Sequence, residues 1–226
     1  MKIIKDIKIL NTYINKFEIN KILPAVALKE AALYHFEKSD YICSYGEKIL
    51  NFYFLVEGNA KVYVLLENGK SFLLKFYEPF SNFGDLEILE KSHYQTNVEA
   101  LKDTFCIGIP TDIINKYCIT DAIFLRYLCL NLSDKLNNLS NISSINILYP
   151  LENRLASYLS HIAAGEKIFN LTSSFSDIAD LLGTSYRHLS RTLKGLNEKK
   201  IIRSSKKRIE ILDVGALVEL AGELYK

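Results

Sequence analysis

Apolar positions along the chain change period several times, and each change predicts a different kind of element. In ILNTYINKF and LPAVALKEAALYHF they recur at helical spacing, the second segment with Pro24 at a first-turn position, which predicts an N-terminal helical cap. From Tyr41 the pattern turns to alternation. ICSYGE places Gly46 at a turn, and FYFLV, KVYVLL and SFLLKFY read as strands separated by Glu57-Gly58-Asn59 and Glu67-Asn68-Gly69-Lys70. Asn-Gly between apolar runs is a strong hairpin signal. With TNVEAL and TFCIGIP as further strands, the segment predicts a small antiparallel roll or barrel.

After Pro110 the helical period returns with a short turn at TDIINKY. Asp121 can then cap a long helix with an apolar stripe of Phe124, Leu125, Leu128, Leu132, Leu136, Leu139 and Ile142. Such a stripe exceeds what one small roll covers, so it predicts a homodimer joined coiled-coil fashion through this helix. Asn137, Asn138, Asn141, Ser143 and Ser144 weaken the helix, and Pro150 restarts it as LENRLASYLSHIAA, which sets a hinge at 148–150. The chain ends on a short helical pattern, DVGALVELAGELY.

Between these lies SFSDIADLLGTSYRHLSRTLKGL, which reads as two short helices around a tight Gly183 turn. Ser174 and Asp177 have capping-box spacing; Ile178, Leu181 and Leu182 mark one buried face, and Ala179 allows close helix approach. On the second helix, capped by Thr184 or Ser185, Leu189, Leu193 and Leu196 face inward. Tyr186, Arg187, Ser190 and Arg191 face outward. This is a helix-turn-helix with base-reading candidates near the start of its second helix. Arginine suits the task because its planar fork donates two hydrogen bonds at once to guanine. A solvated basic face on an ordinary helical hairpin is the competing reading.

NEKKIIRSSKKRIEIL then predicts a short basic hairpin, with Ile201 and Ile202 before Ser204-Ser205 and alternation resuming at Ile209 and Ile211. From Thr184 to Arg208 nine Lys or Arg face one Glu, a local charge of +8, so the rest of a chain of net charge +2 carries −6. Positive charge gathered at one end suits a surface that neutralises phosphates. Thr184, Ser185, His188, Lys194, Arg203, Lys206 and Lys207 are the candidate phosphate contacts.

Composition narrows the alternatives. Two domains fit 226 residues that are 49% hydrophobic, with boundaries expected at 1–118 for a sensor roll, 119–148 for the dimerisation helix and hinge, and 149–226 for the reader. MKIIKDIKIL scatters charge where a signal peptide has an apolar core, and no apolar run is long enough for a membrane span, so a cytoplasmic protein with no membrane partner is expected. Cys43, Cys106, Cys118 and Cys129 form neither a disulfide scaffold nor a zinc spacing; they read as buried reduced thiols, with redox or cluster sensing as the alternative. No G-x-S-x-G, H-E-x-x-H, phosphate loop or dinucleotide fingerprint occurs, and Asp85 and Glu87 read as solvated loop charges, so no catalytic or metal site, cofactor or enzymatic role is expected.

YGE at 45–47, FLVEGNAKV at 54–62, FGDLEIL at 83–89 and FSDIADLLGTSYRHLSRTLKGL together resemble the family of the cyclic-AMP receptor protein and FNR, and SYRHL at 185–189 is most similar to its YeiL-type branch. The resemblance covers nearly the whole chain. It implies an α+β fold: an antiparallel roll like the cyclic-nucleotide-binding jelly roll, a long dimerisation helix, and a C-terminal winged helix-turn-helix. It also implies a homodimeric, sequence-specific transcription regulator on a pseudo-palindromic double-stranded site, with Tyr186, Arg187 and Arg191 in the major groove; an activator would also meet RNA polymerase.

One departure bears on the effector. Nucleotide-binding members hold the ribose with a Gly-Glu pair and the phosphate with an Arg followed by a small hydroxyl residue. Here the pocket reads Gly84, Asp85 and Leu86, then Tyr94, Gln95 and Thr96 where that arginine belongs. An anion buried without its counter-charge costs several kcal/mol, about the scale of a ligand's whole affinity, so cyclic AMP is not expected as effector. Lys91 or His93 are the substitutes within reach, and the effector stays unnamed. Closely spaced N-terminal cysteines, as an FNR-like cluster needs, are missing, and a haem ligand would have to come from His35, His93, His161 or His188. A small-molecule or redox module whose winged domain contacts proteins is the alternative function.

Overall fold

The structure, a computed structural model, describes the chain apart from Asn68, Lys70, Lys91, Thr172, Glu223, Tyr225 and Lys226; at 138, 139 and 141–147 it describes the backbone alone. The expectations at Leu139, Ile142, Asn138, Asn141, Ser143 and Ser144, and the reach of Lys91, lie outside the described residues.

The elements follow in the order β1 (Lys2–Ile4), α1 (Ile7–Lys16), α2 (Ala25–Lys29), β2 (Ala32–Phe36), β3 (Tyr41–Cys43), β4 (Asn51–Glu57), β5 (Ala60–Leu65), β6 (Ser71–Tyr77), β7 (Asn82–Phe83), α3 (Asp85–Glu90), β8 (Asn97–Ala100) and β9 (Thr104–Pro110). After them come a short helical turn α4 (Thr111–Ile113), the long α5 (Ala122–Leu148), α6 (Leu151–Ala163), β10 (Ile168–Asn170), α7 (Phe175–Leu181), α8 (Tyr186–Glu198), β11 (Ile202–Ser205), β12 (Arg208–Ile211) and α9 (Val214–Ala221). One sheet is ordered β1-β2-β9-β4-β7, with antiparallel pairing throughout, and a second β3-β8-β5-β6. This is the mixed fold of helices and antiparallel sheets that the sequence predicts.

Contacts divide the chain into two compact units, 1–61 with 77–138, and 62–76 with 139–226. In the first, β9 lies between β2 and β4, and Phe36, Phe52, Phe54, Ile107 and Ile109 are almost wholly buried around it. Gly58 turns the chain between β4 and β5 at φ +99°, and a Cβ there would stand 2.4 Å from Thr104 Oγ1, so only glycine fits. In the second unit α7 and α8 share a core of Ile178, Leu182, Leu189, Leu193 and Leu196, while Phe76 stacks on the His161 ring at 4.3 Å between centroids.

Several local expectations are corrected. The helix read through ALYHF stops at Lys29, and Ala32–Phe36 is instead a strand hydrogen-bonded on both edges. A strand buried on both faces presents a continuous apolar run, which periodicity cannot separate from a helix. The N-terminal cap is likewise part sheet, because Lys2–Ile4 pair with β2. Asp85 and Glu87 are not solvated loop charges: they lie on α3 with 2% and 6% of their surface exposed. The backbone of α5 runs on to Leu148, and α6 starts after Pro150 as expected. Asp121 caps α5 as expected, its Oδ1 accepting from the N–H groups of Ile123 and Phe124 at 2.9 Å.

The apolar stripe on α5 proves to be two faces. Phe124 and Leu128 are 0% and 1% exposed, Phe124 packing edge-on against Phe52 within its own roll, so neither can meet a partner as the dimer expectation required. Leu125 and Leu132 are partly exposed, whereas Ile123, Leu130 and Leu136 stand open to solvent. A spacing of 3.6 residues lets one stripe serve the roll while another, a third of a turn away, stays free.

Candidate nucleic-acid interface and sensor cassette

The helix-turn-helix is built by local capping. Ser174 Oγ accepts from Asp177 N–H at 3.2 Å while Asp177 returns a bond to Ser174 N–H at 3.0 Å, closing the predicted capping box at the start of α7. Ser174→Ala is expected to lower stability by about 1 kcal/mol, measured as a shift in the urea midpoint of the full chain, since the Asp177 N–H loses its acceptor. Gly183 takes φ +60° past the end of α7, and the Thr184 N–H reaches back to the Ala179 carbonyl at 2.8 Å. Ser185 Oγ then accepts from His188 N–H at 3.2 Å and starts α8.

On α8 the predicted outward residues are outward. Tyr186, Arg187 and Arg191 are exposed and Ser190 is partly exposed, opposite the buried Leu189, Leu193 and Leu196. The first N–H groups of a helix lack intrahelical acceptors and carry partial positive charge, so this end also suits a phosphate. Thr184 and Ser185 stand there, with Thr184 Oγ1 3.3 Å from His188 Nδ1.

The basic wing differs in detail from expectation. Its turn falls at Lys206-Lys207, with Lys206 at φ +53°, and Ser204 and Ser205 belong to the strand before it. A third strand that the sequence reading missed, β10, pairs with β12 in a sheet ordered β10-β12-β11. Ile168–Asn170 is too short to show alternation. Of the candidate phosphate contacts, Arg203 pairs across the strands with Glu210 at 2.8 Å and Lys194 with Glu198 at 3.6 Å. Exposed pairs of this kind contribute about 0.2–1 kcal/mol, so they yield readily to a phosphate. Lys206 and Lys207 make no ion pair among the described residues.

The cassette in the first unit gathers only part of its predicted set. Gly84 and Asp85 enter α3, Tyr94 is buried with its hydroxyl donating to the Asn51 carbonyl at 3.2 Å, and the Gln95 N–H donates to Glu87 Oε1 at 3.3 Å. Leu86 and the Gln95 side chain point outward, Thr96 is partly exposed, and His93 is exposed. What sequence reasoning missed is Lys135. From α5 its Nζ donates to Asp85 Oδ1 and Oδ2 at 2.7 and 2.9 Å and to the Asn82 carbonyl at 3.1 Å, with the Tyr77 ring centroid 5.7 Å away. Burial alone would lower the Lys135 pKa, but the Tyr77 hydroxyl and Asp85 carboxylate outweigh it and hold it above the ordinary lysine value. Burial pushes Glu87 the other way for its charge, raising its carboxyl above the usual range. A signal was available: Lys135 stands eleven residues after Phe124 and seven after Leu128, on the face that the roll buries, where a lysine requires a partner.

Three of the four thiols are buried as expected, and the fourth, Cys129, is not. Burial raises Cys43 and Cys106 well above the ordinary thiol range and Cys118 to about 11, so little reactive thiolate forms at neutral pH, while Cys129 is exposed on α5. Among the described residues no cluster of three or more potential metal ligands occurs, and no helix is long and apolar enough to cross a membrane.

Comparisons with known proteins agree with this arrangement. Residues 33–121 match the cyclic nucleotide-binding domain and residues 153–220 the Crp-like helix-turn-helix domain. The regulatory protein YeiL of Escherichia coli O157:H7 is 32% identical over 197 residues, covering 86% of this chain and 88% of that protein. The probable transcriptional regulator flp of Lacticaseibacillus casei is 30% identical over 176 residues, covering 74% and 77%. Among solved structures, a putative Crp/Fnr-family transcriptional regulator from Eubacterium rectale superposes with a TM-score of 0.75 at 20% identity, covering 90% of this chain and 96% of that one. A CRP-family regulator from Thermus thermophilus gives 0.65 at 25% identity, covering 85% and 98%. With a nucleotide-binding-type roll ahead of a capped helix-turn-helix and its wing, and with relatives at this level of identity along most of its length, the chain belongs to the Crp/Fnr family of DNA-binding transcription regulators.

Proposed function

We propose that this regulator is a cytoplasmic homodimer that reads a pseudo-palindromic site through Tyr186, Arg187, Ser190 and Arg191. Thr184, Ser185, His188, Lys194, Arg203, Lys206 and Lys207 lie on phosphates beside the bases. The observation that carries the reading is the division of α8: three leucines hold it in the core while both arginines of its first two turns stand exposed. Residues 1–118 form the sensor, 119–148 the dimer helix and hinge, and 149–226 the reader. The dimer face uses Leu125, Leu132 and Leu136, which lie along one side of α5 beside the stripe that the roll buries. Paired half-sites need paired recognition helices, which supports the dimer. If the regulator activates, RNA polymerase is its further partner. Cyclic AMP is not the effector, because Tyr94 to Thr96 offer no cation and the cassette already buries Asp85 and Glu87.

The test is selection of duplexes from a randomised pool by the full chain, followed by binding measured against salt. Sequence-specific enrichment is expected. On an enriched duplex Lys207→Ala should weaken binding about equally for every sequence and reduce the salt slope by about 1, one phosphate contact's worth of counterion release. A pool retained without enrichment, or binding indifferent to salt, would overturn the reading.

A further inference from the structure

The cassette holds a cation supplied by the chain itself. An ammonium has three N–H bonds to place, and Lys135 Nζ places them on Asp85 Oδ1, Asp85 Oδ2 and the Asn82 carbonyl, at 2.7, 2.9 and 3.1 Å, with the Tyr77 ring on a remaining side. Asp85 is 2% exposed and Glu87, 6% exposed, lies two residues on, so the buried acceptors outnumber the one cation. Among the described residues an anion entering here would meet two carboxyl groups and no free counter-charge, whereas a primary ammonium finds every acceptor in place.

We propose that this cassette is a binding site for a primary ammonium, filled from within by Lys135 and closed to a cyclic phosphate. The occupant is tethered to α5, so the ion pair fixes the long helix to α3 without an added ligand. The inference rests on the geometry around Asp85 and not on the DNA-binding reading, and its test therefore reads thermal unfolding.

Lys135→Ala in the full chain keeps Cβ and removes a piece the size of n-propylammonium. Propylammonium chloride at about five times its Kd should raise the variant's Tm by about 2–4 °C. The wild type, whose site is filled, should not respond. Neither should the variant with propan-1-ol, nor the double variant Lys135→Ala with Asp85→Asn. No shift in Lys135→Ala, an equal shift with propan-1-ol, an equal shift in the wild type, or a shift given by cyclic AMP would each overturn the proposal. Should Lys135→Ala fail to fold, the wild type with nitrogen-15-labelled lysine supplies the readout. Protected ammonium signals are expected at neutral pH from Lys135 and from Lys61, which is buried against Glu99 at 2.9 Å. Asp85→Asn should remove one and leave the other; two unaffected signals, or none in the wild type, would overturn it.

Discussion

Arg187→Ala is expected to erase discrimination at one base position of each half-site, costing an enriched duplex about 1–3 kcal/mol, or about 5- to 150-fold in Kd. Binding to a scrambled duplex should change far less. The expectation follows from where the side chain stands. Arg187 is the second residue of α8, the helix is started by Ser185, and its opposite face is locked by Leu189, Leu193 and Leu196. Nothing among the described ion pairs holds the guanidinium back. Arg187→Lys should lose part of the same discrimination while keeping the charge, because a flexible ammonium lacks the planar, preorganised fork that arginine presents to guanine. Competition titrations with single-base variants of the duplex measure it directly. An equal loss on every sequence would move Arg187 from the bases to the phosphates.

Phe124→Ala should be the most damaging substitution on α5, costing about 3–5 kcal/mol of stability through lost burial and a cavity. The ring is 0% exposed, and it packs 5.7 Å from the Phe52 ring at 71°. Leu136→Ser, at a side chain 66% exposed, should change protomer stability by less than about 0.5 kcal/mol yet weaken self-association. Urea unfolding and sedimentation measured on both variants separate the two roles. If Phe124→Ala dissociated the dimer without loosening the roll, the division of the helix into a core face and a partner face would be wrong.

That division shows why the sequence was readable in some places and not in others. The reader's helices were legible because their signals are local: Ser174 with Asp177, the left-handed Gly183 and the leucine spacing of α8 each lie within a turn or two. Strands β4, β5 and β6 showed themselves by alternation and by the turn residues between them. The strand Ala32–Phe36 and the buried Asp85 were hidden because their partners come from far along the chain, β9 in one case and Lys135 in the other. The apolar stripe of α5 announced how much of the helix is apolar but not which neighbour each residue takes. In the cassette the absent arginine could be read from Tyr94 to Thr96, while the lysine that occupies the site could be read only with the helix face in hand.

The third strand of the wing changes what its lysines cost to use. Lys206 and Lys207 sit at a turn whose backbone is held from both sides: the Lys207 carbonyl accepts from Leu171 N–H at 2.7 Å, and β12 lies between β10 and β11. Ordering a free loop costs about 1–2 kcal/mol of backbone entropy per residue, and here folding has already met that cost. In the proposed complex with DNA only the lysine side chains would remain to be immobilised, at about 0.5–1.5 kcal/mol each. The wing is thus preorganised, and more of each phosphate attraction survives as affinity than a flexible basic arm of the same charge could keep.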